Sequence, residues 1–71
     1  MSLAFEVTPD DVENVFIRNN ISASPEKISD AFDSLDYDEV ERAALSEIDF
    51  DDQVTAALLE IENQLKEEGF L

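Results

Sequence analysis

The sequence predicts an all-α fold: four helices in a small bundle-like domain, preceded by a short extended arm. Three observations predict it. Apolar residues recur at spacings of three and four in four separate stretches, so each stretch carries one apolar stripe when coiled at 3.6 residues per turn. Each stretch opens on helix-starting chemistry, read as TPDDV, SPEKI, DYDEV and DFDDQV. The chain's one glycine, Gly69, falls where the last stripe ends, as a helix stop requires. The four start signals share capping chemistry and no repeat period, so no solenoid is expected.

In chain order, Leu3, Phe5 and Val7 alternate with Ala4 and Glu6, which suits an extended arm over residues 1–7. A lone strand cannot hold itself, so the arm either packs over the helices or pairs with a second copy. The first helix is expected over residues 9–19. Thr8 is its N-cap, Pro9 takes the position where no N–H is needed, Asp11 returns the reciprocal bond of a capping box, and Val7 and Val12 form the staple. Its stripe is Val12, Val15, Phe16 and Asn19, and the Asn19–Asn20 pair ends it in a turn.

The second helix, over 25–35, repeats the device with Ser24 as cap, Pro25 first and Ala23 with Ile28 as staple; its stripe is Ile28, Ala31, Phe32 and Leu35. The third, over 37–46, is capped by Asp36 with Glu39 three residues on, and buries Tyr37, Val40, Ala43 and Ala44. Glu47 would fall on that stripe, so the helix ends near Ser46 and Ile48 to Phe50 form a corner. The fourth and longest, over 51–68, starts from Asp49 or Asp51 and runs for about 18 residues, or roughly 27 Å. Val54, Ala57, Leu58, Ile61 and Leu65 form its stripe while Thr55, Glu60, Glu62, Asn63 and Lys66 face away; Gly69 closes it and Phe70 folds back on Leu65. Ile17, Leu45 and Leu59 lie off the stripes. Either they meet the core from a second side, or they form an exposed apolar patch for a partner or a second copy.

Seventy-one residues make one domain, 1–71, with a small core. Nineteen acidic residues against four basic ones give a formal charge of −15, and that self-repulsion opposes compaction. The acidity is not that of a disordered tail, because 44% of the residues are hydrophobic and fall in helical register. The absence of cysteine and histidine removes disulfides, thiolate nucleophiles and the usual base near neutral pH. The N-terminus lacks the features of a signal peptide and no run reaches the roughly 20 apolar residues that span a bilayer, which fits a cytoplasmic chain. An acidic surface is repelled by anionic lipid and by nucleic-acid phosphate, so neither membrane nor direct nucleic-acid binding is expected.

The densest acidic run extends from Asp30 to Asp52, with Arg42 as its one cation. A calcium loop with Asp49 first, Asp51 third, Gln53 fifth and Glu60 twelfth nearly fits, but Val54 stands where the loop needs glycine to turn. No metal or other cofactor is therefore expected. Asp33-Ser34-Leu35-Asp36 resembles the DSL motif of acyl and peptidyl carrier proteins, small acidic four-helix proteins whose motif serine carries a phosphopantetheine arm. The resemblance implies Ser34 as the attachment point. The chain departs from the pattern in lacking the glycine before the motif and in placing Ser34 at the end of a helix. Glycine-rich phosphate loops, nucleophile–base pairs and basic patches are absent, and a bundle of this size offers little pocket for paired carboxylates, so the chain is read as non-catalytic.

What remains is the charge. Its plain reading is solubility or life in high salt; its functional reading is a binding face for a basic protein, at the extreme an imitation of nucleic-acid phosphate, which presents about one charge per 1.7 Å of axis. Glu67 and Glu68 sit where the dipole of the last helix disfavours anions by roughly 0.3–1 kcal/mol each, so they do not serve the helix. The expected function is a non-catalytic acidic interaction module that docks on a basic protein, plausibly a nucleic-acid-binding one, through Asp36, Asp38, Glu39, Glu41, Glu47, Asp49, Asp51 and Asp52. Small acidic helical inhibitors of phages and plasmids resemble it in composition. Ile17, Leu45 and Leu59 are the candidate apolar interface. The alternatives are a self-associating structural module, hence a homodimer, and a carrier protein using Ser34.

Overall fold

The computed structural model describes residues 7–71. Among them the chain is all-α, with helices α1 (Pro9–Arg18), α2 (Pro25–Ser34), α3 (Tyr37–Leu45) and α4 (Phe50–Glu67). The extended arm lies, apart from the half-buried Val7, outside the described residues. α4 packs against both α3 and α1, and α1 packs against α2. The molecule measures 33 × 20 × 19 Å. No helix among the described residues is long and apolar enough to cross a membrane.

Each start is made by local chemistry. At α1 the Thr8 amide donates to Asp11 Oδ2 at 2.8 Å, the reciprocal arm expected of the capping box, and Pro9 is the first helical residue. Ser24 Oγ accepts from the Lys27 amide at 3.2 Å and Asp36 Oδ1 from the Glu39 amide at 3.3 Å. Asp49 caps α4 by backbone conformation only, with no side-chain cap bond, and the helix begins at Phe50 rather than at residue 51.

Two ends close in the same way. At α4 the Phe70 amide donates to the Leu65 carbonyl at 2.9 Å and the Gly69 amide to the Lys66 carbonyl at 3.2 Å, with Gly69 at φ +85°: a Schellman motif. At α1 the Ile21 amide donates to Phe16 O at 2.9 Å and the Asn20 amide to Ile17 O at 3.0 Å, with Asn20 at φ +60°. Asparagine tolerates that left-handed conformation better than other side chains do. Phe70 and Ile21 each pack on the core beyond their turns. A Cβ added at Gly69 meets nothing within 4 Å, so the cost of Gly69→Ala is the backbone's alone. It is expected to lower stability by about 1 kcal/mol in chemical denaturation. An unchanged midpoint would mean that the turn is not held in this conformation.

The core is Val12, Val15 and Phe16 from α1, Ala31 and Leu35 from α2 and its end, Val40 and Ala44 from α3, and Ala57, Ile61 and Leu65 from α4. These are stripe positions. Ile28, Phe32, Val54 and Leu58 are only half-buried at the core margin. The stripe read for α3 needs correction at Tyr37, which is exposed: its ring stands edge-on to Phe32, with centroids 5.4 Å apart, and its hydroxyl donates to the Phe32 carbonyl at 2.7 Å. A phenol so placed keeps water at one end, where its polar tip belongs. Partial desolvation of the hydroxyl, and then the charge of Asp33, push Tyr37 above its usual pKa.

Glu60 and Glu62 are also corrected, since both are half-buried and neither faces clear of its neighbours. Asn19 Nδ2 donates to Glu62 Oε1 and to Val15 O, each at 2.8 Å, tying the end of α1 to α4. Gln64 pairs its amide with the backbone of Asp36, accepting from Asp36 N–H at 2.7 Å and donating to Asp36 O at 3.2 Å. It also donates to Glu60 Oε2 at 3.0 Å. At the opposite end Gln53 Nε2 donates to Glu47 O at 3.1 Å. Late α4 thus meets the start of α3 and early α4 meets its end, so the two helices run antiparallel.

Candidate functional site

All eight carboxylates of the expected acidic face are exposed. They do not form one cluster. Asp36 and Glu39, at the start of α3, join Glu60, Glu67 and Glu68 of late α4 and its cap around a shallow depression that Ser34 and Gln64 also line. Glu47 and Asp52 share a second shallow depression with Thr55, Ala56 and Leu59. Asp38, Glu41, Asp49 and Asp51 line neither. The antiparallel packing of α3 on α4 causes this division: it carries the last turn of α4 to the first turn of α3, and sends the α3–α4 corner to the far end.

The first depression is the stronger concentration of charge. Among the described residues the one ion pair is Arg42 with Glu39, at 3.0 Å and largely exposed. Asp36, Glu60, Glu67 and Glu68 have no such partner among the described residues. The Asp36 side chain caps α3 and Glu60 accepts from Gln64, while Glu67 and Glu68 oppose the dipole of the helix end they occupy. Sequence reasoning marked Glu67 and Glu68 as unfavourable for the helix and left Glu60 out of the face. Helical phase alone could not have placed Glu60, because its neighbour across the depression comes from another helix.

No group of three or more metal-ligating side chains converges among the described residues. The span tested as a calcium loop is helical from Phe50 onward, so its side chains radiate around an axis and do not fold inward. Ser34 is the last residue of α2, and its hydroxyl donates to Ala31 O at 2.8 Å. Leu35 after it is extended, so Ser34 does not open a helix as the carrier motif requires. No protein-family profile, curated protein or solved structure matches the chain.

Of the candidate apolar interface, Ile17 is 61% exposed, Leu45 51% and Leu59 47%, so the reading that sends them to the core from a second side is corrected. Ile17 lies with Phe16, Ile21 and Ala23 beside Glu13 at the α1–α2 turn, whereas Leu59 shares its depression with Glu47 and Asp52. They do not line one shared depression.

Proposed function

We propose that this chain is a non-catalytic interaction module of bundle-like form whose acidic α3–α4 surface docks on a basic protein. The supporting observation is the gathering of Asp36, Glu39, Glu60, Glu67 and Glu68 from two helices around one open depression. Such a grouping concentrates negative potential and costs helix stability at Glu67 and Glu68, which a role in solubility does not require. A basic partner offsets that repulsion on docking. Long-range attraction speeds the encounter and weakens steeply with salt. A nucleic-acid-binding protein has the matching surface, because carboxylates along paired helices can approach the charge density of a duplex.

The test is capture from the source lysate at low salt, with retained proteins eluted by rising salt and identified by mass. A basic protein displaced by added DNA or RNA is expected. The variant carrying Glu67→Lys and Glu68→Lys should bind that protein about tenfold more weakly, by removing charge that steers and holds it. The same changes place cations where the α4 dipole favours them, so melting should be unchanged or improved and weaker binding cannot be put down to unfolding. Unaltered affinity in this variant, or recovery of the bait alone, would overturn the proposal.

A further inference from the structure

The α3–α4 corner carries an apolar surface that the acidic depression does not explain. Ile48 is 95% exposed and Phe50 52%, within five residues of the half-exposed Leu45. The corner is not a frayed end. Ser46 Oγ donates to Ala43 O at 2.6 Å, the Glu47 amide to Ala44 O at 3.1 Å, and Gln53 Nε2 to Glu47 O at 3.1 Å, so it is pinned from both helices. Phe50 begins α4 three and four residues before the half-buried Gln53 and Val54, yet is itself half exposed.

The charges interleaved with these side chains decide what can cover them. Glu47, Asp49, Asp51 and Asp52 alternate with Ile48 and Phe50 along the chain and are all exposed. Arg42, the nearest cation in sequence, is engaged by Glu39. A second copy laid on this surface would bring like carboxylates together in a chain of net charge −15. A cationic segment with apolar residues on one face meets both features at once. We infer that the α3–α4 corner is the apolar anchor for a cationic amphipathic helix of a partner protein: Leu45, Ile48 and Phe50 give contact area, while Glu47, Asp49, Asp51 and Asp52 receive its basic side chains. This inference rests on the proposed acidic docking role and adds where affinity beyond charge would come from. Burying one large aliphatic or aromatic side chain is worth about tenfold to a hundredfold in binding.

Two fluorescent helical peptides of equal charge provide the test, read by anisotropy at about 0.1 M salt, where the screening length is still about 10 Å and most of the repulsion that opposes folding is relieved. One repeats lysine and leucine in amphipathic register; the other replaces every leucine with glutamine. The native protein is expected to bind the leucine peptide at least about tenfold more tightly. The double variant Ile48→Ser, Phe50→Ser, which keeps only Leu45 of the anchor, should lose most of that preference, with its affinity for the glutamine peptide unchanged. Melting of the variant is the control for folding, and Ile48→Ser alone, at a side chain almost wholly in solvent, repeats the test without touching the core. Equal binding of the two peptides by the native protein would overturn the anchor and leave the acidic docking role standing. Failure to bind either peptide would sink both. A native dimer in sedimentation that Ile48→Ser dissociates would overturn the cationic partner in favour of a second copy.

Discussion

Between about 10 mM and 0.5 M monovalent salt, the melting temperature of this protein is expected to rise by roughly 20–40 °C. The cause is its net charge of −15 on a body 33 × 20 × 19 Å across. Two like charges about 20 Å apart repel by about 0.2 kcal/mol in water, and a net charge of this size amounts to roughly a hundred such pairs. Unfolding moves the charges apart and relieves part of that repulsion. At about 10 mM the screening length is near 30 Å, as long as the molecule, and the relief favours unfolding by on the order of 5 kcal/mol. At 0.5 M screening acts within about 5 Å and little of the penalty survives. The whole stability of a 71-residue chain is about 4–11 kcal/mol, so salt decides whether the folded state dominates. Melting followed by circular dichroism across this range is the check. A midpoint that moved by less than about 5 °C would show that the carboxylates repel far less than their number implies.

Phe16→Ala is expected to remove about 3–5 kcal/mol, enough to leave much of the chain unfolded at moderate salt. Among the described residues Phe16 is the largest fully buried side chain, and it sits on α1, which packs against both α2 and α4. Truncation would open a cavity where three helices meet, and would remove the ring over which Lys27 Nζ stands at 5.3 Å from the centroid. Lys27 is one of only four Lys and Arg residues in the chain, and the ring is what holds its ammonium in place. Ile17→Ala, one residue along and mostly in solvent, is the matched control and should change stability by less than about 0.5 kcal/mol. Denaturant titration at high salt measures both. Equal losses for the two variants would mean that α1 presents a different face to the core.

The helices were legible in the sequence because their signals are local. Thr8 with Asp11, Ser24 before Pro25, and Asp36 three residues before Glu39 act within one turn, and Gly69 stops α4 by its own backbone freedom. The observed C-terminal ends fall one residue inside the expected ones, because the capping residues Asn19, Leu35, Ser46 and Glu68 donate their amides back into the last turn without themselves continuing the helix. Tyr37 was misplaced for a related reason. Its spacing is helical, but its hydroxyl finds the Phe32 carbonyl just outside the core, and spacing carries no information about where a polar tip can be satisfied.

The candidate site was legible only in part. The abundance and exposure of its carboxylates follow from composition, since so many charges have nowhere to go but the surface. Their grouping does not. Gln64 meets Asp36 from 28 residues away and Asn19 meets Glu62 from 43 away, and these contacts exist because α4 packs against α3 on one side and α1 on the other. That packing brings Glu60, Glu67 and Glu68 to Asp36 and Glu39, and it leaves Ile48 and Phe50 exposed. By itself, therefore, the sequence determined four helices, their caps and a charge that resists their association, all through forces acting within a turn or summed over the whole chain. Only the tertiary structure decided which acids face one another and which apolar side chains remain uncovered, because a stripe shows that a helix has an inward side and says nothing of which neighbour will cover it.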